Sequence, residues 1–435
     1  MNYKRKKKTV YVAMSADILH EGHINILKIA NKYGEVVAGL LTDQVISSYK
    51  KFPHFNYKQR ELVLKNIKYV KKVIQQNSHD YSENLILIKP DFVIHGNDWK
   101  SGIQKGIRSK VIKTLKKWNG KLIEPKYTPG ISSSEIKNKI LNLGVTSDQR
   151  REKLKRLLNA KKFLRILETH SALAGLIVEN TYLIKNNKRL EYDGMWSSSL
   201  TDSVSRGMPD NQSVDYSTRL NGISDIFNVT TKPMILDIDN GGSIEHLPFL
   251  IKKAERLGVS AVIMEDKVGI KINSLFLNQK KSKQDSIKSF CKKIKKIKSN
   301  QISDDFMQIS RIESLILGNG MADALKRAIE YSKAGSDGIM IHSNKKTPTE
   351  IIKFCNLFNK SKYKKPIIVV PSTYSKTYEK KLVEAGAKII IYANQLLRSS
   401  YKAMLTTSEN ILKNGRAYEV EKKMTPVKEI INLIK

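Results

Sequence analysis

Short apolar runs recur along this chain, and each gives way to a polar loop and then to a stretch with helical spacing. In the first third, Thr9–Met14, Glu35–Leu41, Lys72–Ile74, Asp91–His95 and Lys121–Glu124 read as strands. Helices are expected from about Gly22 to Tyr33, over Tyr57–Ile67, over Ser109–Trp118 and over Ser133–Leu143. Strands alternating with helices predict a parallel sheet with helices on its faces. Residues 146–165 are polar and then helical, with Leu154, Leu157, Leu158 and Leu164 as one apolar face, so a boundary falls near 147. The predicted domains are therefore 1–146 and 147–435.

The alternation resumes beyond the boundary. Ala174–Val178, Met195–Ser199, Met234–Asp239, Ala261–Asp266, Met307–Ile312, Gly338–His342, Ile367–Pro371 and Lys388–Tyr392 read as strands separated by helices. About eight such units over roughly 270 residues fit a closed (β/α)8 barrel. An open doubly wound sheet is the alternative.

Polar residues gather at the ends of these strands, where α/β proteins place their chemistry. Trp196 to Leu200 closes one strand and Asp237-Ile238-Asp239 the next, its two acids one residue apart and so on one side of a strand. Glu265-Asp266-Lys267, Arg311 and His342-Ser343 close the following three, and Asp210 lies in the loop after Trp196. Carboxylates so grouped suit a hard divalent cation, Mg2+, held directly and through water, and Arg311 with His342 suits an anionic substrate. The loop after Glu265 carries Gly269, Lys271, Asn273 and Ser274.

Charge changes this picture little. The formal net charge of +37 invites a nucleic-acid reading. However, lysines run from end to end of the chain, and runs such as Lys292–Lys298 lack the interleaved aromatics that stack on bases. The charge is read as a solvated surface that also gathers phosphate-bearing substrates, and no nucleic-acid partner is expected. No apolar run has the ~18–20 residues of a membrane helix, and the basic start before Thr9 is followed too soon by Asp17 and His20 for a secretory signal. Cys291 and Cys355 have no metal or redox spacing. A cytoplasmic protein with reduced thiols is expected.

Three motifs mark the first domain. His20-Glu21-Gly22-His23 follows the first strand and opens a helix, which directs two imidazoles and the positive helix end at one spot suited to a polyphosphate. Gly96-Asn97-Asp98-Trp99 follows a later strand, and Gly130-Ile131-Ser132-Ser133-Ser134 runs into a helix start. In order and spacing these resemble the cytidylyltransferase superfamily, glycerol-3-phosphate cytidylyltransferase-like proteins above all. The family's GTFD-x-x-HxGH stands here as Met14 to His23, its GDDW as Gly96–Trp99 and its ISTT-x-I as Ile131–Ile136. Met14 and Ala16 replace the family's glycine and phenylalanine, and Lys126-Tyr127 stands where an arginine is common. The resemblance implies nucleotidyl transfer from CTP to a phosphate or phosphonate with release of pyrophosphate. It implies nucleotide contacts from His20, His23, Lys50 or Lys51, Arg60, Asp98, Trp99, Ser132, Ser133 and Ser134.

The second domain resembles the phosphoenolpyruvate mutase and isocitrate lyase superfamily. The matching segments are Tyr192–Leu200, Leu236–Asp239, Glu265–Lys267 with Lys271, Asn273 and Ser274, Ile309–Glu313, and His342-Ser343. Ser197 and Ser199 stand where the family often has glycine, and Asn240-Gly241-Gly242-Ser243 replaces a common Thr-Gly-Tyr-Gly. The resemblance implies interconversion of phosphoenolpyruvate and 3-phosphonopyruvate in phosphonate biosynthesis. Asp237 would be the main Mg2+ ligand, with Asp210, Asp239 and Glu265 holding the metal's waters. Trp196 would wall the pocket, and Ser198, Ser199 and Leu200 would bind the carboxylate end. Arg311 and His342 would bind the phosphoryl group and substrate oxygens, with Lys271, Asn273 and Ser274 on a closing loop. The resemblance further implies a homodimer or homotetramer that exchanges its last barrel helix, and coupling to a phosphonopyruvate decarboxylase.

Within that superfamily, a phosphonopyruvate hydrolase with a non-catalytic nucleotide-binding first domain is the alternative. The superfamily's lyases use a loop cysteine, and Lys267 to Ser274 contains none. Asn273 is the feature that most favours a mutase over a hydrolase.

Overall fold

The computed structural model describes residues 7–100, 104–126, 144–269, 271–274 and 282–434. The chain divides into two units. One comprises the residues up to Val145 with Asn159–Lys161 and Tyr182–Glu191, and the other comprises the remainder.

The first unit carries a parallel sheet of β1 (Thr9–Met14), β2 (Glu35–Leu41), β3 (Lys72–Gln76), β4 (Phe92–Ile94) and β5 (Lys121–Ile123), in the order β3-β2-β1-β4-β5. Side chains alternate across a strand, so β1 feeds two cores. Val10, Val12 and Met14 pack with Leu27, Ala30 and Leu64 on one face. Tyr11 and Ala13 pack with Val45, Tyr81, Leu85, Trp99 and Val111 on the other. The Glu21–Tyr33 helix starts in a capping box made by histidines. His20 Nδ1 accepts from Gly22 N at 3.1 Å, and His23 Nδ1 accepts from His20 N at 3.4 Å. The helices Asp43–Tyr49 and Ser82–Ile88 were not expected. Each is a single short segment with too few turns to show a helical period. The expected helix Ser133–Leu143 lies outside the described residues.

The second unit is a closed parallel barrel. Its strands are β6 (Leu164–Glu168), β9 (Gly194–Ser197), β10 (Met234–Asp237), β11 (Ala261–Glu265), β14 (Met307–Ile312), β15 (Gly338–Ile341), β16 (Ile367–Val369) and β17 (Ala387–Tyr392), with β17 closing on β6. Two antiparallel pairs complete the strand list: β7 (Tyr182–Lys185) with β8 (Lys188–Glu191), which belongs to the first unit, and β12 (Lys267–Val268) with β13 (Lys283–Gln284), which belongs to the second. Both are excursions from the alternation expected from sequence.

One expected strand is a helix. Ala174–Val178 lies within the Ala172–Asn180 helix, capped by Ser171 Oγ on Ala174 N, and the barrel's first strand is Leu164–Glu168. A short apolar run has no period to distinguish strand from helix, and the serine cap decides it. The Ser147–Ala160 helix anchors itself through Arg150, which is buried against Phe227 and donates to Thr230 O at 2.7 Å.

Candidate functional site

The barrel strands end together, and their last residues meet. Asp237 ends β10 and Glu265 ends β11. Glu265 lies in register with Arg311 of β14. A cavity opens at this mouth, lined by Trp196, Ser198, Ser199, Leu200, Asp210, Asp237, Lys271, Asn273, Ser274, Arg311 and His342. The cavity thus joins all but two of the site residues expected in this unit, and those two, Asp239 and Glu265, are buried behind its wall. Met340, Val370, Ser372, Ala393 and Asn394 also line it and were not expected. All but Asn394 are apolar or small residues, which carry no chemical signature in sequence.

Two loops meet over the acids. Lys271 Nζ lies 2.8 Å from Asp210 Oδ1 and 2.5 Å from Asp239 Oδ1, and also donates to Ser199 Oγ. Asn273 Nδ2 donates to Asp210 Oδ2 at 2.7 Å. Ser199 Oγ donates to Asp237 Oδ2 at 3.0 Å. Ser274 is an anchor for the loop: its Oγ donates to Glu313 Oε2 at 2.6 Å and accepts from Arg311 Nη2 at 2.7 Å and Lys267 Nζ at 3.0 Å.

The charges respond to one another. Burial favours a neutral Asp237, but Lys271, Arg311 and Arg219 outweigh it and hold its carboxyl below the usual range. Burial and then the Asp237 charge push Asp239 up. Burial pushes Glu265 up to about 7 despite the neighbouring Arg311. Burial opposes charge on Lys271, yet Asp239, Asp237 and Asp210 keep it firmly protonated. Burial and then Arg311 depress His342 to about 3, so it faces the cavity as a neutral ring.

The acidic turn is braced from below. Arg219 is buried, donates to Asp202 Oδ2 at 2.9 Å and to the Asp237 carbonyl at 2.6 Å, and lies 4.0 Å from Asp239. Ser197 Oγ donates to the same Asp202 carboxylate at 2.7 Å. Asp239 takes a left-handed φ of 49°, rare for a side-chain-bearing residue, and its N–H donates to Asp237 Oδ1 at 3.0 Å. Asp202 and Arg219 stand within helices, where their sequence neighbours give no hint of this role.

The residues fit a divalent cation. Trp196 Nε1 and His342 Nε2 are buried without a hydrogen-bond partner, and Glu265 Oε2 has only an ion pair with Arg311 Nη2 at 3.3 Å, so polar atoms are left for a ligand. Among the described residues no group of three or more acidic, imidazole or thiol side chains is placed to hold a metal ion directly.

The first unit has its own cavity, at the C-terminal ends of its strands. His20, Gly22, His23, Lys50 and Asp98 line it, together with Tyr49, His79, Tyr81 and His95, which were not expected. Arg60 is not brought there. It is buried, and its guanidinium donates to the carbonyls of Ser15, Leu41 and Phe55 and to Asp43. Trp99 is buried too, donating from Nε1 to Glu124 at 2.8 Å and stacking on His95. Ser132, Ser133 and Ser134 lie outside the described residues.

A parallel barrel with carboxylates, one arginine and a lysine-bearing loop at its C-terminal mouth is the arrangement of a lyase and mutase superfamily enzyme. Residues 154–412 match the family model described as phosphoenolpyruvate phosphomutase, and residues 14–139 match one described as cytidylyltransferase-like. The phosphoenolpyruvate phosphomutase of Tetrahymena pyriformis is 33% identical over 66% of this chain and 92% of its own length. The crystal structure of phosphoenolpyruvate phosphomutase from Streptomyces platensis subsp. rosaceus aligns with a TM-score of 0.60 at 31% identity, covering 66% of this chain and 95% of that one. A phosphonopyruvate hydrolase in complex with oxalate and Mg2+ aligns with a TM-score of 0.58 at 29% identity, with the same coverage. The chain belongs to the phosphoenolpyruvate phosphomutase family and carries a cytidylyltransferase-like domain at its N-terminal end. Among the described residues no helix is long and apolar enough to cross a membrane.

Proposed function

We propose that the barrel interconverts phosphoenolpyruvate and 3-phosphonopyruvate, and that the first domain transfers a nucleotidyl group from CTP to a phosphonate or phosphate. The observation that carries the first part is the paired grip of Lys271 and Asn273 on Asp210, which closes the loop over the strand-end acids. Asp237, Asp239 and Glu265, with Asp210, would hold Mg2+. When bound, the cation supplies charge that polarises the substrate's oxygens. Arg311 binds the phosphoryl group, and His342 offers a neutral ring to a substrate oxygen. Ser198, Ser199 and the Leu200 backbone orient the carboxylate end, while Trp196 walls the pocket. The closed loop keeps water from a loose, metaphosphate-like phosphoryl group.

The relative that holds oxalate and Mg2+ favours hydrolysis of phosphonopyruvate as the second reading. Phosphorus NMR of the protein with phosphonopyruvate and Mg2+ separates the two, because a mutase yields phosphoenolpyruvate whereas a hydrolase yields inorganic phosphate. For the first domain, pyrophosphate release from CTP with phosphonate acceptors is the test, and no release with any of them would defeat the assignment. The His20 and His23 rings, with Nδ1 engaged by backbone N–H groups, carry their neutral-form proton on Nε2 and so can donate to a polyphosphate.

A homo-oligomer belongs to the same proposal. The Gln395–Asn414 helix buries none of its residues, and Met404 and Leu412 are 60% and 84% exposed. An apolar surface of this kind suits a partner subunit. Phosphonopyruvate decarboxylation is the reaction expected to draw the equilibrium forward, and the protein is proposed to act in the cytoplasm.

A further inference from the structure

Asn394 stands at the start of a helix and does not cap it. It precedes the Gln395–Asn414 helix, where an asparagine side chain usually accepts from the N–H two or three residues on. Its side chain makes no such bond. A buried carboxylate takes that place. Glu168 Oε2, at the end of β6, accepts from Leu396 N at 3.0 Å and from Leu397 N at 3.3 Å. Negative charge there also meets the positive end of the helix. His170 Nδ1 pairs with the other oxygen, Oε1. The amide of Asn394 is therefore released from its usual local bond.

Asn394 lines the cavity of the barrel and is only 6% exposed. Its Oδ1 accepts from Arg398 Nη1 at 3.5 Å. An arginine can only donate, so the oxygen belongs on that side, and Nδ2 is left without a hydrogen bond among the described residues. A buried donor of this kind calls for an acceptor. The strand order indicates which one. Trp196, Asp237 and Glu265 stand on the neighbouring strands β9, β10 and β11, the side proposed for the cation and the substrate's carboxylate. β17, which leads to Asn394, lies across the barrel from β11, beyond Arg311 of β14 and His342 after β15. Met340, Val370 and Ala393 of that far arc have no polar side chain. The part of a three-carbon substrate that reaches this arc is its phosphorus end.

We propose that Asn394 is a further substrate-binding residue of the barrel, its Nδ2 donating to an oxygen of the phosphonate group of 3-phosphonopyruvate, and that Glu168 is the positioning residue that frees it. This rests on the reading of the barrel's substrate above. Arg311 supplies charge to the phosphorus group, and the Asn394 amide adds direction without a further charge, so the group is oriented without being held as tightly as by a second cation. Glu168 acts only through Asn394: with its carboxylate in place the helix start is satisfied, and the asparagine has no bond to return to.

The test is the initial rate of phosphonopyruvate consumption with Mg2+, and its inhibition by oxalate, which has carboxylates and no phosphorus, for the full chain and its N394A, N394D and E168A variants. N394A should lower kcat/KM by about tenfold or more and leave the oxalate inhibition constant within about twofold, because one hydrogen bond to a charged group is lost. N394D should lose more, since its carboxylate repels the phosphonate. In E168A the amide turns back to cap its own helix, so adding N394A to E168A should cost nothing further. Full kcat/KM in N394A would overturn the proposal, as would a matching loss for oxalate, N394D no worse than N394A, or independent losses from N394A and E168A. N394A and N394D carry the test if E168A does not fold. If the product is inorganic phosphate, the mutase reading falls while the subsite stands, because both reactions begin from a bound phosphonate. If the wild type leaves phosphonopyruvate unchanged, calorimetric binding of that compound to the same proteins decides the subsite, and a wild type that does not bind it overturns it.

Discussion

Asn273 donates a 2.7 Å hydrogen bond to Asp210, and so the closing loop is fastened to the wall of the cavity it covers. Asn273→Ala removes that fastening and none of the charges. We expect turnover to fall by about a hundredfold or more, because a loosely held lid admits water and misplaces the reacting groups. Thermal stability and Mg2+ binding should be unchanged. Near-normal turnover in steady-state assays would refute the role assigned to Asn273.

Arg219 supports the acids without touching the cavity. Arg219→Met would leave Asp202 as a buried, unpaired carboxylate and free the Asp237 turn. Loss of one partner of a buried ion pair costs about 3–5 kcal/mol. Denaturant unfolding should show a loss of that size, along with weaker Mg2+ binding by calorimetry. A variant as stable as the parent would show that the network is not the brace described.

Stability should depend on pH through His23. Burial, then the charges of His20 and Lys50, depress its pKa from 6.5 to about 4. Between those values the unfolded chain binds more protons than the folded one. The contribution is therefore complete above about pH 6.5 and is lost as pH falls towards 4, at up to about 1.4 kcal/mol per pH unit. His23→Gln keeps a side chain suited to the capping box and removes this titration. Urea midpoints at pH 7, 5.5 and 4.5 should converge for the variant relative to the wild type. Identical pH slopes would contradict the assignment.

The apolar surface of the Gln395–Asn414 helix predicts assembly. Light scattering at micromolar concentration should give at least a dimer mass, and Leu412→Glu with Met404→Glu should lower it. A monomeric wild type would exclude a partner over this helix.

Much of the site was legible in the sequence because a strand that ends in a barrel mouth switches abruptly from apolar to charged. Asp237, Arg311 and His342 stand at such switches and line the cavity, and Glu265 stands at another, in register with Arg311. What stayed hidden depends on the third dimension. Arg219 and Asp202 sit within helices and meet only through packing. His79 and His95 are lone histidines with no spacing between them, and line one cavity only through the sheet order. Arg60 misled in the opposite way: it fits a family motif, but the structure uses it to tie backbone carbonyls together. The start of the Leu164–Glu168 strand is hidden in sequence because Leu164 continues the leucine spacing of the preceding helical segment, 146–165.

The central claim is that phosphorus moves between carbon and oxygen within a pocket closed to water. Phosphorus NMR of the full chain with phosphonopyruvate and Mg2+ in 18O-water tests it most directly. The account predicts phosphoenolpyruvate whose three non-bridging phosphoryl oxygens carry no 18O. Inorganic phosphate bearing 18O, formed with pyruvate in place of phosphoenolpyruvate, would contradict it.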